Sequence, residues 1–312
     1  MKRRSLLVLA AAGALMAGSA LADGQRFLFV QNVQGLTPEP AADYEFSSHT
    51  FTRCGQTGPT GPSLSQCRSS YGAEWAHDDA FFSVSSGIQE WVVPADGVYR
   101  ITAAGAEGGA RTTSTSSSFS GPHPGGKGAL MRADFRLQAG QVLRILVGQQ
   151  GQDNGGAGGG SFVVDEGGEP LLVAGGGGGG GNTAPGNPGL ATERGGNADT
   201  GEQGGDNGQG ATDNSRFNGA GFFSDGRGLS AGEAFTNGGR GSDRTLFGGF
   251  GGGAAGGTNF VAGGGGGYSG GAPSDQTASA GAGGGGSFSA GEGTVGEPGA
   301  NAGHGHVAVE RL

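Results

Sequence analysis

Lysine, cysteine and long apolar runs are all scarce in this 312-residue chain, and each scarcity narrows its possible roles. Lysine occurs twice, at Lys2 and Lys127, and 18 basic residues against 27 acidic ones leave a formal charge of -9. An acidic chain repels nucleic acid and anionic membrane surfaces, so neither is an expected partner. Past the first two dozen residues no stretch stays apolar for eighteen positions, so no helix that spans a bilayer is expected there. Sustained helical periodicity is also missing: no segment longer than ten residues carries it, and almost no α-helix is expected after the first residues.

The start of the chain has a different character. MKRRSLLVLAAAGALMAGSALADG combines a basic opening, an apolar stretch from Leu6 to Met16 and the small-residue end Ala20-Leu21-Ala22. This is the layout of a cleaved secretory signal, expected over 1–22 with the cut before Asp23. Its loss would remove Lys2, Arg3 and Arg4 and take the charge from -9 to -12. Both general and twin-arginine export fit the paired arginines. The expected location is secreted, extracellular or periplasmic. In such a compartment the two cysteines, Cys54 and Cys67 in RCGQTGPTGPSLSQC, are expected to form one disulfide, since no further metal ligand lies between them.

Glycine, in contrast, is abundant and unevenly spread: ten of the 76 precede residue 105. Before that point the chain reads as antiparallel β, with short aromatic and β-branched runs at 27–33, 80–86, 88–94 and 98–106. Pro94-Ala95-Asp96-Gly97 is a turn between two of them. Hairpin-like stretches follow at 129–150 and 161–174, and an alternating strand closes the chain at 306–312. Many short strands with turn signals predict a β-sandwich over 23–174, completed by residues 304–312.

Residues 175–303 form a glycine-rich region inserted before the last strand. It opens on LLVAGGGGGGGN (171–182), echoed by NFVAGGGGGYSGG (259–271), and GGGSF occurs at 158–162 and at 284–288. No fixed period returns, which excludes collagen and a regular solenoid. Composition of this kind ordinarily signals disorder. Against that stand the apolar flanks of the runs and the scattered Phe217, Phe222, Phe223, Phe235, Phe247 and Phe250. Glycine also has an ordered alternative: an extended threefold helix points its backbone groups outward, where neighbouring chains of the same kind can bond to them.

Five blocks occur in order: FTRCGQTGPTGPSLSQCRSSY, GIQEWVVPADGVYRITAAGAEGG, LRILVGQQG, PLLVAGGGGGG and the terminal GHGHVAV. Together they resemble the glycine-rich extracellular domain of the anaplastic lymphoma kinase and leukocyte tyrosine kinase receptors. The resemblance implies a tumour-necrosis-factor-like β-sandwich carrying an inserted bundle of polyglycine II helices. Cys54 and Cys67 match the two cysteines of the opening motif of that family. The sequence carries no counterpart of the growth-factor-like module, the membrane span or the kinase: HRD, DFG and a VAIK-type lysine are all lacking.

Candidate chemistry is sparse. GLSAG (228–232) and GYSGG (267–271) match G-x-S-x-G but do not join a strand to a helix, and no βαβ unit surrounds the G-x-G-x-x-G matches. His304 and His306 form a weak metal pair that His123 or His49 could complete; the alternative is a sandwich-edge pair. The Asp/Asn-rich stretch 197–219 is like calcium loops without their spacing. No catalytic residue and no cofactor is expected. The leading expectation is a non-enzymatic module binding a protein ligand or a cell-surface component. The alternative is a structural, adhesive or ice-binding surface built on a rigid glycine array.

Overall fold

Eleven strands and one short helix give the described part of the chain its frame. The computed structural model describes residues 44–115, 117, 119–213, 216–244, 246–257, 261–275 and 280–312. These belong to a unit running from Pro40 to Leu312. The expected signal 1–22, the expected strand 27–33 and the start of the echo at 259 lie outside the described residues.

The strands are β1 (Ser48–Phe51), β2 (Phe82–Ser85), β3 (Ile88–Val92), β4 (Gly97–Ala104), β5 (Gly128–Leu137), β6 (Val142–Leu146), β7 (Ser161–Val164), β8 (Pro170–Ala174), β9 (Phe288–Ser289), β10 (Glu292–Asn301) and β11 (His306–Arg311). They build a five-stranded sheet in the order β1-β11-β4-β5-β10 and a six-stranded sheet in the order β2-β3-β6-β7-β8-β9. All pairings are antiparallel. The fold is mainly β, a sandwich, as the strand pattern predicts.

Two expected features resolve differently. The stretch 129–150 is not a hairpin: β5 pairs with β4 and β10, whereas β6 pairs with β3 and β7 in the other sheet. Turn residues at Gln138–Gln141 reverse the chain, but they do not decide whether the next strand bonds to the last or crosses beneath it. Both strands alternate, and each buries one face in the same core. The second difference is β10, ten residues with seven glycine, proline, glutamate or asparagine positions and no apolar alternation, and so without any strand signal. It runs along β5 with two register shifts, and Gly293 and Gly299 take φ +60° and +63° there.

Alternation along the six-stranded sheet feeds two apolar cores. Trp91, Leu143, Ile145, Val163 and Leu172 point between the sheets, where they meet Phe51, Tyr99, Ile101, Val307 and Val309. Ile88, Leu146, Phe162, Val164 and Val173 point the other way, onto Phe222, Phe235 and Phe250 of the glycine-rich region. That second core explains why all four residues of β7 are buried. A strand covered on both faces reads as a continuous apolar run.

Beyond Ala174 the chain leaves the sheet and enters the glycines. Residues 175–181 are all buried and none has a left-handed φ. The N–H groups of Gly176 and Gly179 donate to Gly266 and Gly263, those of Gly177 and Gly180 to Ala106 and Gly109, and that of Gly178 to Asn187. On the acceptor side, the carbonyls of Gly175 and Gly178 receive Ala129 and Gly126, those of Gly176 and Gly179 receive Gly285 and Ala282, and Gly177 receives Gly158. These bonds run from 2.8 to 3.2 Å. The partner changes at each residue and returns after three, whereas a sheet strand alternates between two sides. So the run is held on all sides by backbone.

Such contact leaves no room for a side chain. A Cβ on Gly177 would lie 1.7 Å from the Gly126 carbonyl oxygen, and one on Gly178 would lie 2.1 Å from that of Ala282. Gly177→Ala should therefore destabilise by roughly 4 kcal/mol or more, or prevent folding, whereas Gly72→Ala, where nothing lies within 4 Å, should stay within about 0.5 kcal/mol. Thermal unfolding of the two variants checks this, and equal melting temperatures would contradict the packing.

Candidate binding surface

The best-defined local structure outside the sheets surrounds the disulfide. Cys54 and Cys67 are joined, with Cα atoms 4.8 Å apart, as the cysteine count predicts. Cys67 sits in α1 (Leu64–Ser70), whose N-terminus is closed by a reciprocal box between Ser63 and Gln66. That S-x-x-Q spacing is legible in the sequence and marks a helix start, yet seven residues are too few to show periodicity.

Under the loop lies a buried polar knot. Tyr71 Oη donates to Gln89 Oε1 at 2.6 Å and accepts the Thr52 N–H at 2.8 Å, while Gln89 Nε2 donates to the Thr52 carbonyl at 2.9 Å. Burial raises the Tyr71 pKa. Next to it, His49 packs edge-on against Phe51, Tyr71 and Trp75 at 4.5 to 4.8 Å. Its Nε2 is buried without a hydrogen-bond partner, and burial pushes its pKa down to about 4. A neutral, aromatic-packed ring is a structural histidine. It does not stand ready as a ligand.

The other candidate ligands are also engaged. His304 precedes β11, and its Nδ1 accepts the Gln150 N–H at 3.1 Å. His306 opens β11 opposite Ala104. Burial lowers both pKa values, with Arg53 adding to the effect at His304. His123 contacts the Ser120 hydroxyl at 2.9 Å. Among the described residues, no group of three His, Cys, Asp or Glu side chains is placed to hold a metal ion. In the Asp/Asn-rich stretch, Asn197 accepts the Gly204 N–H, Asp206 the Asn207 N–H, and Asp199 the Asn187 amide. These oxygens close their own loops.

One buried charge has no sequence signal. Arg111 is 3% exposed and, among the described residues, donates Nη2 to the Val261 carbonyl while its Nε has no partner. Burial lowers its pKa to about 10. It lies against the glycine array, where Gly155 leaves space for the guanidinium.

Two of the surface hollows adjoin the turns and the disulfide loop. The larger, about 950 Å³, lies among turns that carry Asp96, Arg136, Asp165 and Glu166. The other, about 580 Å³, lies between the disulfide loop, the β2–β3 turn and the glycine-rich region, with Pro62, Leu64, Val84, Gln66, Asn237 and Arg240 on its walls. Neither gathers the nucleophile, base and orienting group that a catalytic centre requires.

Leukocyte tyrosine kinase receptor of Mus musculus is 38% identical to this chain over 104 residues. The match takes in 33% of this chain and 11% of that receptor. No family model matches the chain. So small a share of the receptor supports a related receptor-like region and implies no kinase domain. Among the described residues no helix is long and apolar enough to cross a membrane. Together with the disulfide, that is compatible with an extracellular location.

Replacing both Cys54 and Cys67 by Ser should cost about 3 kcal/mol by the loop-entropy model, read as a lower denaturant midpoint. His49 gives a signed pH dependence. Its folded pKa is depressed, so the unfolded chain takes up the proton first. The stability it lends is complete above about pH 6.5 and is lost as pH falls toward about 4. The melting temperature of His49→Phe should fall less steeply across that window than that of the parent chain; parallel curves would remove His49 from the account.

Proposed function

We propose that the chain is an exported, non-enzymatic binding module that engages a protein ligand or a cell-surface component. The observation that carries this reading is the similarity to a region of a leukocyte tyrosine kinase receptor, 38% identical over 104 residues. In this reading the glycine-rich insertion is a bundle of polyglycine II helices. The period-three hydrogen bonding of Gly175–Gly180 supports that form, since a threefold extended helix directs its backbone groups along three directions. The insertion opens at Gly175, and the chain returns through β9 and β10 to the last strand. A base of this kind holds the loops of the sandwich in fixed positions, which lowers the ordering cost of binding.

Retention on the immobilised mature protein tests the reading, with an extract of surface proteins from co-cultured cells as the source. Protein ligands predict that trypsin treatment of the extract abolishes retention and that glycan removal leaves it. Retention that survives trypsin but not glycan removal, or no retention at all, would favour the adhesive or structural role instead.

A further inference from the structure

At the β9 edge of the six-stranded sheet three aromatic rings stand together at the surface. Phe223 is 47% exposed, and Tyr268 and Phe288 are half-buried. Tyr268 stacks on Phe288 with centroids 4.6 Å apart and planes 25° apart. Phe223 meets Tyr268 edge to face at 6.4 Å. Fully buried Phe222 supports both, 4.8 Å from Phe223 and 6.4 Å from Tyr268.

The rings are held from the backbone. Phe223 N–H donates to Gly208, Tyr268 N–H to Gly286, and Phe222 N–H to the Tyr268 carbonyl. Gly208 lies directly under the ledge, where a Cβ would come within 2.5 Å of the Phe223 ring. An exposed aromatic group fixed in this way is costly to leave in water and costs little entropy when covered.

One carboxylate borders it, and a second adds to its negative field. Glu193 lines a hollow of about 380 Å³ together with Phe288. Both Glu193 and Glu169 act on Tyr268, whose pKa is raised by burial first and then by these two charges. Neither glutamate has an ion pair among the described residues. The neighbouring guanidinium of Arg194 turns to Gln203 Oε1 at 3.1 Å.

We propose that this ledge receives an arginine or lysine side chain from a basic segment of the partner protein. The proposal rests on the reading of the chain as a protein-binding module and names the surface involved. A cation over the face of Tyr or Phe is attracted by the ring quadrupole, more strongly when water is excluded. Glu169 and Glu193 supply the charge that the rings lack. A neutral sugar could stack on the same rings, but it would leave both carboxylates unpaired.

Fluorescence anisotropy with a labelled GRGRGRG peptide, and with GQGQGQG in its place, tests the proposal at about 50 mM salt, where exposed charges are weakly screened. The arginine peptide should bind and the glutamine peptide should not. The double variant Glu169→Gln/Glu193→Gln should weaken binding at least about tenfold, near 1.4 kcal/mol, and Phe223→Ser should weaken it several-fold. Glu45→Gln/Glu74→Gln, which removes the same charge elsewhere, should leave binding within about twofold.

Equal weakening by the two double variants would overturn the proposal in favour of diffuse attraction. Binding of cellohexaose that depends on Phe223 but not on the glutamates would replace it with a sugar-binding ledge. Failure of the arginine peptide while trypsin-sensitive retention persists would remove this surface and leave the protein-binding reading standing. Thermal unfolding confirms that each variant is folded before its affinity is read.

Discussion

The closest approach of backbone to backbone governs this molecule. Segments around Gly105–Gly109, Gly125–Ala129, Gly155–Gly160, Gly175–Gly181, Gly263–Gly267 and Ala282–Gly286 lie so near one another that added Cβ atoms would fall about 2 Å from carbonyl carbons and oxygens. Ordering a residue costs roughly 1–2 kcal/mol of backbone entropy, and glycine pays the most. What offsets it is hydrogen bonding in every direction, each bond contributing about 1 kcal/mol net, together with dense contact that only bare backbone permits. The array has few large apolar side chains of its own, and those it has pack against the sandwich, which anchors it. Strands β4, β5 and β8 run straight into it, and Phe222, Phe235 and Phe250 bind its far side to the outer face of the six-stranded sheet.

That dependence explains what could be read from the sequence. The strands at 82–85, 88–92, 97–104, 161–164 and 170–174 all announced themselves, because each alternates or runs apolar between turn residues. The disulfide followed from two cysteines and the expectation of an oxidising compartment. β10 did not, because Gly293, Gly296 and Gly299 interrupt it and its exposed face has no reason to alternate. Sheet assignment of β5 and β6 was hidden for another reason: a turn encodes reversal, and which strand becomes the partner depends on strands elsewhere in the chain.

The candidate surfaces were less legible still. Histidines drew attention as possible metal ligands, but His49 belongs to an aromatic core and His304 to a backbone contact. Phe223, Tyr268 and Phe288 are separated by 45 and 20 positions, and only the folded array brings them into a single ledge. Glycine content, which looked like the part of the sequence with the least information, decides where the rings of Phe223 and Tyr268 stand.

The same bonding pattern has a kinetic side. Gly178 alone gathers Gly126, Asn187 and, through its steric neighbour, Ala282. Most of the bonds that hold Gly175–Gly180 join residues far apart along the chain, and contacts of that kind form slowly because loop closure precedes any return. The sandwich strands have short-range pairs, such as β2 with β3 and β7 with β8, from which to start. The array must wait for its last segment, near Gly286, to arrive. Until then the glycine segments remain open chain, and a protease meeting the newly made chain finds a substrate that the finished fold conceals.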